Sequence, residues 1–496
     1  MKILVIQLAR FGDILQTAPA INALKRSRPD AEVHVLLRSR FSAMGRFIKG
    51  ADRVLSWDTQ SILGPCMKSE DGAAASLGLL ETELENLKRE SYSEVYNLSY
   101  SPFSSFLTSL VSNDSTRVFG YSRYVDGFLN IPDETSRYFY TQVGTDRPNR
   151  AHLVDVFSAT LDVHLKESDK ALDLQWLDSN LLSRFSNLSL GKYILIHVGA
   201  SEEHKSVSVF KWKQIIRKIC RSVEGVQVVL VGVDGERERA NEILQGETFE
   251  NVINLVGETE LTEIFAIANH AKLVIGGDSL WVHVASIVGK KCLNLSFSTV
   301  NFWETGPWSR GSEVLYADHE HALSSDQVAE RVHAMFTGDK SKPAPLTVTL
   351  SDTVEMFEGP GAIPSFQWDL IKALYLGHEF PESPSEVFDL SIIRLAELTA
   401  LALENINSIR EGNGDINVAS QILNNVDQLV SSVAHNCVEV QPLIRWFQGN
   451  KSLIPPGSID EIIFNTESCF AQLSGVLSWY LEKQELKNKE VSHAKY

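Results

Sequence analysis

At 496 residues, 44% hydrophobic and 22% charged, the chain is long enough for about three domains and too apolar for wholesale disorder. A net charge of -17 argues against nucleic acid as the main partner, and no run approaches the ~20 apolar residues that span a bilayer. Five scattered cysteines without a Cys-x-x-Cys pair suggest neither a zinc site nor a disulfide framework; with an opening (MKILVIQLARFGD) whose apolar run breaks at Arg10, too soon for a signal peptide, they point to a cytoplasmic protein. Peripheral contact with the inner membrane is left open, and nothing fixes the oligomeric state.

The predicted elements then alternate. Lys2–Leu8 is a short Ile/Val/Leu run, as expected of a strand buried on both faces. A loop, Ala9–Asp13, leads into a helical pattern, ILQTAPAINALKRS, with Ile14, Ala18, Ile21 and Leu24 on one face. Pro19 either kinks this helix or sits in its first turn after a Thr17 cap. Strands are expected at Glu32–Leu37 and near Arg53–Ser56, Glu94–Leu98 and Arg117–Phe119, and helices over Leu77–Arg89 and His152–Leu165. A second series starts at Tyr193, with strands YILIHV, VQVVLVG, VINLVG, KLVIGG and KCLNLSF separated by helical segments. The alternation predicts an α/β fold of two doubly wound parallel-sheet lobes, parted in the polar stretch Leu177–Lys192. After the linker Thr337–Thr347 the period turns helical: PSEVFDLSIIRLAELTALALENI, VASQILNNVDQLVSSVAHNCVEV and DEIIFNTESCFAQLSGVLSWYLEKQ read as amphipathic helices of an all-α extension. The expected domains are 1–185, 186–340 and 341–496.

Two loops carry candidate chemistry. In an open parallel sheet, ligands bind beyond the carboxyl ends of the strands at the switch point. The first such loop, Arg10-Phe11-Gly12-Asp13, has one glycine and no GxGxxG turn, which disfavours a nicotinamide or flavin oxidoreductase. It offers a carboxylate at a helix start, where the dipole tends to lower the pKa. Asp13 is equally suited to general-base work or to capping the helix. The second loop, Gly276-Gly277-Asp278-Ser279, precedes a helix bearing His283; amides at a helix start can hold phosphate. Alone, Asp278 or Ser279 reads as a cap and His283 as a core histidine; together they favour a nucleotide site. His319-Glu320-His321 reads as a solvated loop, since successive side chains diverge.

Taken together, the opening KILVIQLARFGDILQTAPAINALKRSRPDAEVHVLL, the segments HVGAS (His197–Ser201) and KWKQI (Lys211–Ile215), and GGDSLWVHVASIVGKKCLNLSFSTVNFWETGPW resemble the lipopolysaccharide heptosyltransferases over roughly residues 1–340. The resemblance implies a two-lobed transferase of the GT-B type that moves a heptose from ADP-heptose to a lipopolysaccharide core or related glycan, free or lipid-linked. It assigns Arg10 and Gly12 to the acceptor, and Lys211, Glu236, Gly277, Asp278, Ser279 and His283 to the ADP-sugar donor. Asp13 would deprotonate the acceptor hydroxyl for an inverting attack. No cofactor or metal is implied, because cations and helix N-termini would neutralise the leaving diphosphate. There are departures: Leu280 stands where the family's Asp-Thr-Gly motif has its glycine, Ser279 replaces its threonine, and Lys205 competes with Lys211 for the phosphate-binding position. Two alternatives follow, a transferase acting on a protein or surface polysaccharide, motivated by the extra helical region, and a non-catalytic binding or scaffold protein, motivated by Leu280.

Overall fold

The computed structural model describes residues 1–69, 72–170, 172, 183–199, 202, 205–339, 365–412 and 415–493. Residues 177–182 of the expected boundary at 177–192, most of the linker at 337–347, and Ala200 and Ser201 of the HVGAS segment lie outside the described residues. The described residues form two compact units: 1–99, 114–117 and 150–339 belong to the first, and 100–113, 118–149 and those from 365 onward to the second. Segments expected within residues 1–185 therefore share a unit with the C-terminal helices.

Strands β1 (Lys2–Gln7), β2 (Glu32–Arg38), β3 (Arg53–Trp57), β4 (Glu94–Asn97) and β5 (Arg117–Gly120) form a sheet of order β3-β2-β1-β4-β5. A short antiparallel pair, β6 (Ser122–Arg123) and β7 (Leu129–Asn130), follows. Strands β8 (Tyr193–His197), β9 (Gln227–Val231), β10 (Val252–Asn254), β11 (Leu273–Gly276), β12 (Cys292–Phe297) and β13 (Glu313–Ala317) form the second sheet, of order β10-β9-β8-β11-β12-β13. Its pairings are all parallel. In both sheets the first strand is flanked by the second and the fourth, so the order reverses there and opens a crevice at the carboxyl edge. The central strands explain their own sequences: Ile3–Ile6 and Tyr193–Ile196 are wholly buried, as continuous apolar runs must be when helices cover both faces. The structure thus bears out two doubly wound sheets and a helical C-terminal region.

Details differ from expectation at the first helix. It spans Phe11–Ser27, starting three residues earlier than expected and running through Pro19. Thr17 is therefore no cap: its hydroxyl donates to the Asp13 carbonyl and accepts from Gln7 Nε2, both at 2.8 Å. Strand β13 and the helix Ser325–Thr337 were missed by the pattern; the Arg331 guanidinium joins them through a two-pronged pair with Glu313 at 2.6 and 2.8 Å.

In the second unit, the helix Glu386–Arg410 buries Phe388, Ile392, Leu395, Leu398, Ala402 and Ile406 in a core shared with Leu473, Leu477 and Tyr480 of the last helix, Ile459–His493. The helices Ser365–Leu376 and Gln441–Ser452, which the pattern did not show, belong here too. Gln142 Nε2 donates to the Pro442 carbonyl at 3.1 Å, and Tyr121 and Ile131 cluster with Leu453, so residues 118–149 are part of this packing.

Candidate active site

The site lies in the first unit, where the carboxyl ends of β1 and of β8 and β11 carry their loops. Because the first helix begins at Phe11, Gly12 and Asp13 sit in its first turn. Asp13 Oδ2 accepts the Arg10 backbone amide at 2.9 Å, so the carboxylate does reach back in the manner of a cap. The dipole-lowered pKa expected at this position is corrected by the environment. Burial raises the Asp13 pKa, the Arg10 amide and guanidinium oppose it, and the negative charge of Asp278 adds to the rise. Desolvation outweighs the helix start, and an ionised carboxylate with a raised pKa is the stronger proton acceptor. Arg10 itself is exposed.

Gly12 joins the two halves of the site. A Cβ at this position would lie 2.7 Å from Cδ2 of His283, inside van der Waals contact, so the glycine admits the imidazole. His283 is buried on the helix Leu280–Ile287 and stacks on Trp308, with ring centroids 5.7 Å apart. Burial pushes its pKa down to about 4, and its Nδ1 has no hydrogen-bond partner among the described residues. On another side of Trp308 lies His152, buried at the start of the helix Leu153–Thr160. Its Nδ1 accepts from the Val154 amide at 3.1 Å, which leaves Nε2–H to donate to the Gly306 carbonyl at 3.0 Å. Protonating Nδ1 would set two donors against each other, and burial holds this pKa near 3.

The second loop is tightly enclosed. A Cβ on Gly277 would come within 3.2 Å of the Lys205 carbonyl, and one on Gly276 within 3.3 Å of His197 Cβ. Neither has a positive φ, so close approach explains these glycines rather than a special turn. Asp278 accepts from Thr305 Oγ1 at 3.1 Å and pairs with Lys205 Nζ at 3.5 Å. Ser279 precedes the helix without a side-chain capping bond, and its buried hydroxyl has no partner among the described residues. Leu280 occupies the first helical position and is half-buried.

Glu236 stands at a neighbouring strand end. Its Oε2 accepts from the Val233 amide at 2.9 Å and lies 3.2 Å from His197 Nε2. Burial pushes its pKa up, but bonding and charge from His197, with the Val233 amide and Arg239, bring it below the usual value. A Cβ on Gly199 or Gly232 would overlap this carboxylate, so both glycines are its seat.

Of the expected residues, the structure brings Gly12 and Asp13 to Asp278 and His283, and sets Ser279, Gly277 and Glu236 along the same edge. It does not bring Lys211 there: that ammonium donates to the Leu323 carbonyl at 2.8 Å, and Lys205 is the lysine beside Asp278. Sequence reasoning missed His152, His197, Gly199 and Trp308. His197 and Gly199 had a signal, since they end a buried strand; the His152 contact spans 154 positions and had none. Glu320 of the His-Glu-His stretch accepts the Ser208 amide at 3.0 Å.

A family model, glycosyltransferase family 9 (heptosyltransferase), matches residues 85–333. Lipopolysaccharide heptosyltransferase 1 of Campylobacter coli is 24% identical over 315 residues, covering 61% of this chain and 85% of its own length. Lipopolysaccharide heptosyltransferase 3 of Escherichia coli is 24% identical over 334 residues, covering 64% and 89%. The solved E. coli ADP-heptose lipopolysaccharide heptosyltransferase II superposes with a TM-score of 0.50 at 19% identity, covering 69% of this chain and 100% of that one; at such identity the likeness speaks for the fold. With half of its length matched by the family model and the site assembled from two doubly wound sheets, the chain belongs to glycosyltransferase family 9 and is a glycosyltransferase.

Proposed function

We propose that the chain transfers a heptosyl residue from ADP-heptose to a hydroxyl of a lipopolysaccharide core or related glycan, with inversion and with Asp13 as general base. The observation that carries this reading is the meeting of the Gly12-Asp13 turn with Asp278 and His283 at one crevice. The names of the curated relatives supply the sugar and the acceptor class, and that of the solved one supplies the donor. In the proposed step the acceptor proton passes to the Asp13 carboxylate as its oxygen attacks the anomeric carbon. The bond from that carbon to the diphosphate oxygen breaks, and ADP leaves. Lys205, the Ser279 hydroxyl and the amides opening the helix Leu280–Ile287 offset the developing charge. Glu236, held ionised by His197, is suited to accept ribose hydroxyls. Arg10 and Gly12 lie on the acceptor side.

The test is transfer from ADP-heptose to truncated lipopolysaccharide, comparing wild type with Asp13→Asn and titrating both with ADP. A base should be worth about 10²–10⁴ in kcat. The expected result is a loss of that size with ADP affinity within about threefold; wild-type rates in the variant would remove Asp13 from the chemistry. A second acceptor reading, a protein or surface polysaccharide, is favoured by the helical unit beyond the matched residues. Transfer to those acceptors and none to lipopolysaccharide would select it.

A further inference from the structure

The turn Thr305-Gly306-Pro307-Trp308 is held from several sides. The Gly306 amide donates to the Phe302 carbonyl at 2.8 Å, closing the short helix Phe302–Thr305. A Cβ on Gly306 would lie 2.4 Å from the same carbonyl oxygen, so this backbone packs as closely as a glycine allows. The Trp308 amide donates to Ser286 Oγ at 3.0 Å, on the helix that bears His283. The Gly306 carbonyl accepts Nε2–H of His152 at 3.0 Å. His152 comes from the chain before the second sheet: it leads the helix Leu153–Thr160, which packs against the first helix, the one that carries Asp13. The turn in turn has two contacts toward the site. Thr305 Oγ1 donates to Asp278 Oδ1 at 3.1 Å, nearer than Lys205 Nζ at 3.5 Å, and the Trp308 ring stacks on His283.

His152 has two nitrogens with two different tasks. Nδ1 accepts from the Val154 amide at 3.1 Å and so caps its own helix. That bond fixes the tautomer and the ring plane, and Nε2–H is thereby aimed at Gly306. Capping needs only Nδ1. The second bond is surplus to it, and both of its ends are buried, where a donor and an acceptor hold each other firmly in place. We propose that His152 is a positioning residue for the donor side of the site. Through the Gly306 carbonyl it fixes the turn relative to the Asp13 helix, and the turn sets the Thr305 hydroxyl on Asp278. Thr305 is the second positioning residue of the same chain of contacts. The inference rests on the donor role given to Asp278 in the function proposed above.

Two substitutions separate the nitrogens. In His152→Asn the amide oxygen stands near the place of Nδ1, so the helix keeps its cap and Gly306 loses its donor. In His152→Gln the amide nitrogen reaches near the place of Nε2 and keeps the Gly306 bond. The readouts are calorimetric titration of the full chain with ADP and transfer kinetics with ADP-heptose. His152→Asn and Thr305→Val should each raise the ADP Kd and the donor KM roughly 3- to 10-fold, with kcat within about threefold of wild type. His152→Gln should restore the affinity to within about twofold of wild type. The double variant His152→Asn, Thr305→Val should bind no more weakly than the weaker single one, because both changes act on one contact. Wild-type affinity in His152→Asn, a loss in His152→Gln equal to that in His152→Asn, or additive losses in the double variant would each overturn the proposal. Should His152→Asn not fold, His152→Ser, another capping residue, takes its place. Urea unfolding of the same four chains gives a second cycle that needs no ligand, and there too the effects of the two sites should not add. If wild type binds no ADP, the donor proposed above is wrong, and additive effects in the urea cycle would overturn the positioning role separately.

Discussion

Asp13 and the two buried histidines set the pH behaviour of this enzyme in opposite directions. Burial raises the Asp13 pKa, so the acid limb of the transfer rate is expected to lie above the ordinary carboxylate range; a kcat profile from pH 4 to 8 measures it. A raised carboxyl pKa also means that the folded state holds the proton more tightly than the unfolded one. Its contribution is favourable below the unfolded value of 3.8 and is lost as pH rises through the folded pKa. Asp13→Asn should therefore melt higher than wild type at pH 7, with the difference shrinking toward pH 4. His152 and His283 behave conversely, with pKa values lowered to about 3 and about 4 from 6.5. The stability they contribute is present above pH 6.5 and is lost as pH falls from there toward their folded pKa values. Each is worth about 1.4 kcal/mol per pH unit inside that window. Urea unfolding between pH 7 and 4.5 should show the decline, and His283→Leu should remove about half of the slope.

At the scale of elements, the site depends on how closely the turn opening the first helix can approach the helix Leu280–Ile287. Gly12→Ala separates two effects of known sign. Alanine inside a helix gains about 1 kcal/mol over glycine. Here its Cβ would strike the His283 ring, held between Gly12 and Trp308, and such overpacking costs about 1–3 kcal/mol. The clash should win. Urea unfolding should give a less stable variant, and transfer should fall because Asp13 is the next residue. A gain in stability would show that His283 can move aside. The same elements show the reach of pattern reading. Periodicity found the strands of both lobes except β13 and the short β6–β7 pair, and most of their helices, yet it started the first helix at Ile14, because Phe11 and Gly12 look like a loop until the tertiary crevice is seen. The family resemblance paired Lys211 with the site through its adjacency to Trp212, which says nothing about which way the ammonium points. The ammonium turns to the Leu323 carbonyl, 112 positions away.

At the scale of the whole molecule, the helical C-terminal region is integral to the fold of residues 100–113 and 118–149. A chain truncated after Asp339 would strip Gln142 of its bond to Pro442 and uncover Tyr121 and Ile131. Each lost kcal/mol lowers the melting temperature by roughly 2–4 °C in domains of 150–250 residues. The truncated chain is expected to melt on the order of 5 °C lower and to bind a hydrophobic dye. Equal melting of the two chains would mean that these segments hold their shape alone.

The sequence by itself determined what depends on neighbours in the chain: buried parallel strands from Ile/Val/Leu runs, amphipathic helices from their period, and glycine-containing loops after strands at the reversal of strand order. Asp13, Asp278 and His283 could be singled out because those loops occupy the one place where a doubly wound sheet presents its ligands. Tertiary structure alone decided which side chains meet. It set His283 against Gly12, chose Lys205 over Lys211, placed His152 behind Trp308, and gathered residues 100–113 and 118–149 with helices that follow more than two hundred positions later. These contacts join residues far apart in the chain, and local propensity carries no information about them. The Asp13 pKa is the plainest case, since a helix start alone lowers it and only burial, with Asp278 nearby, turns it upward.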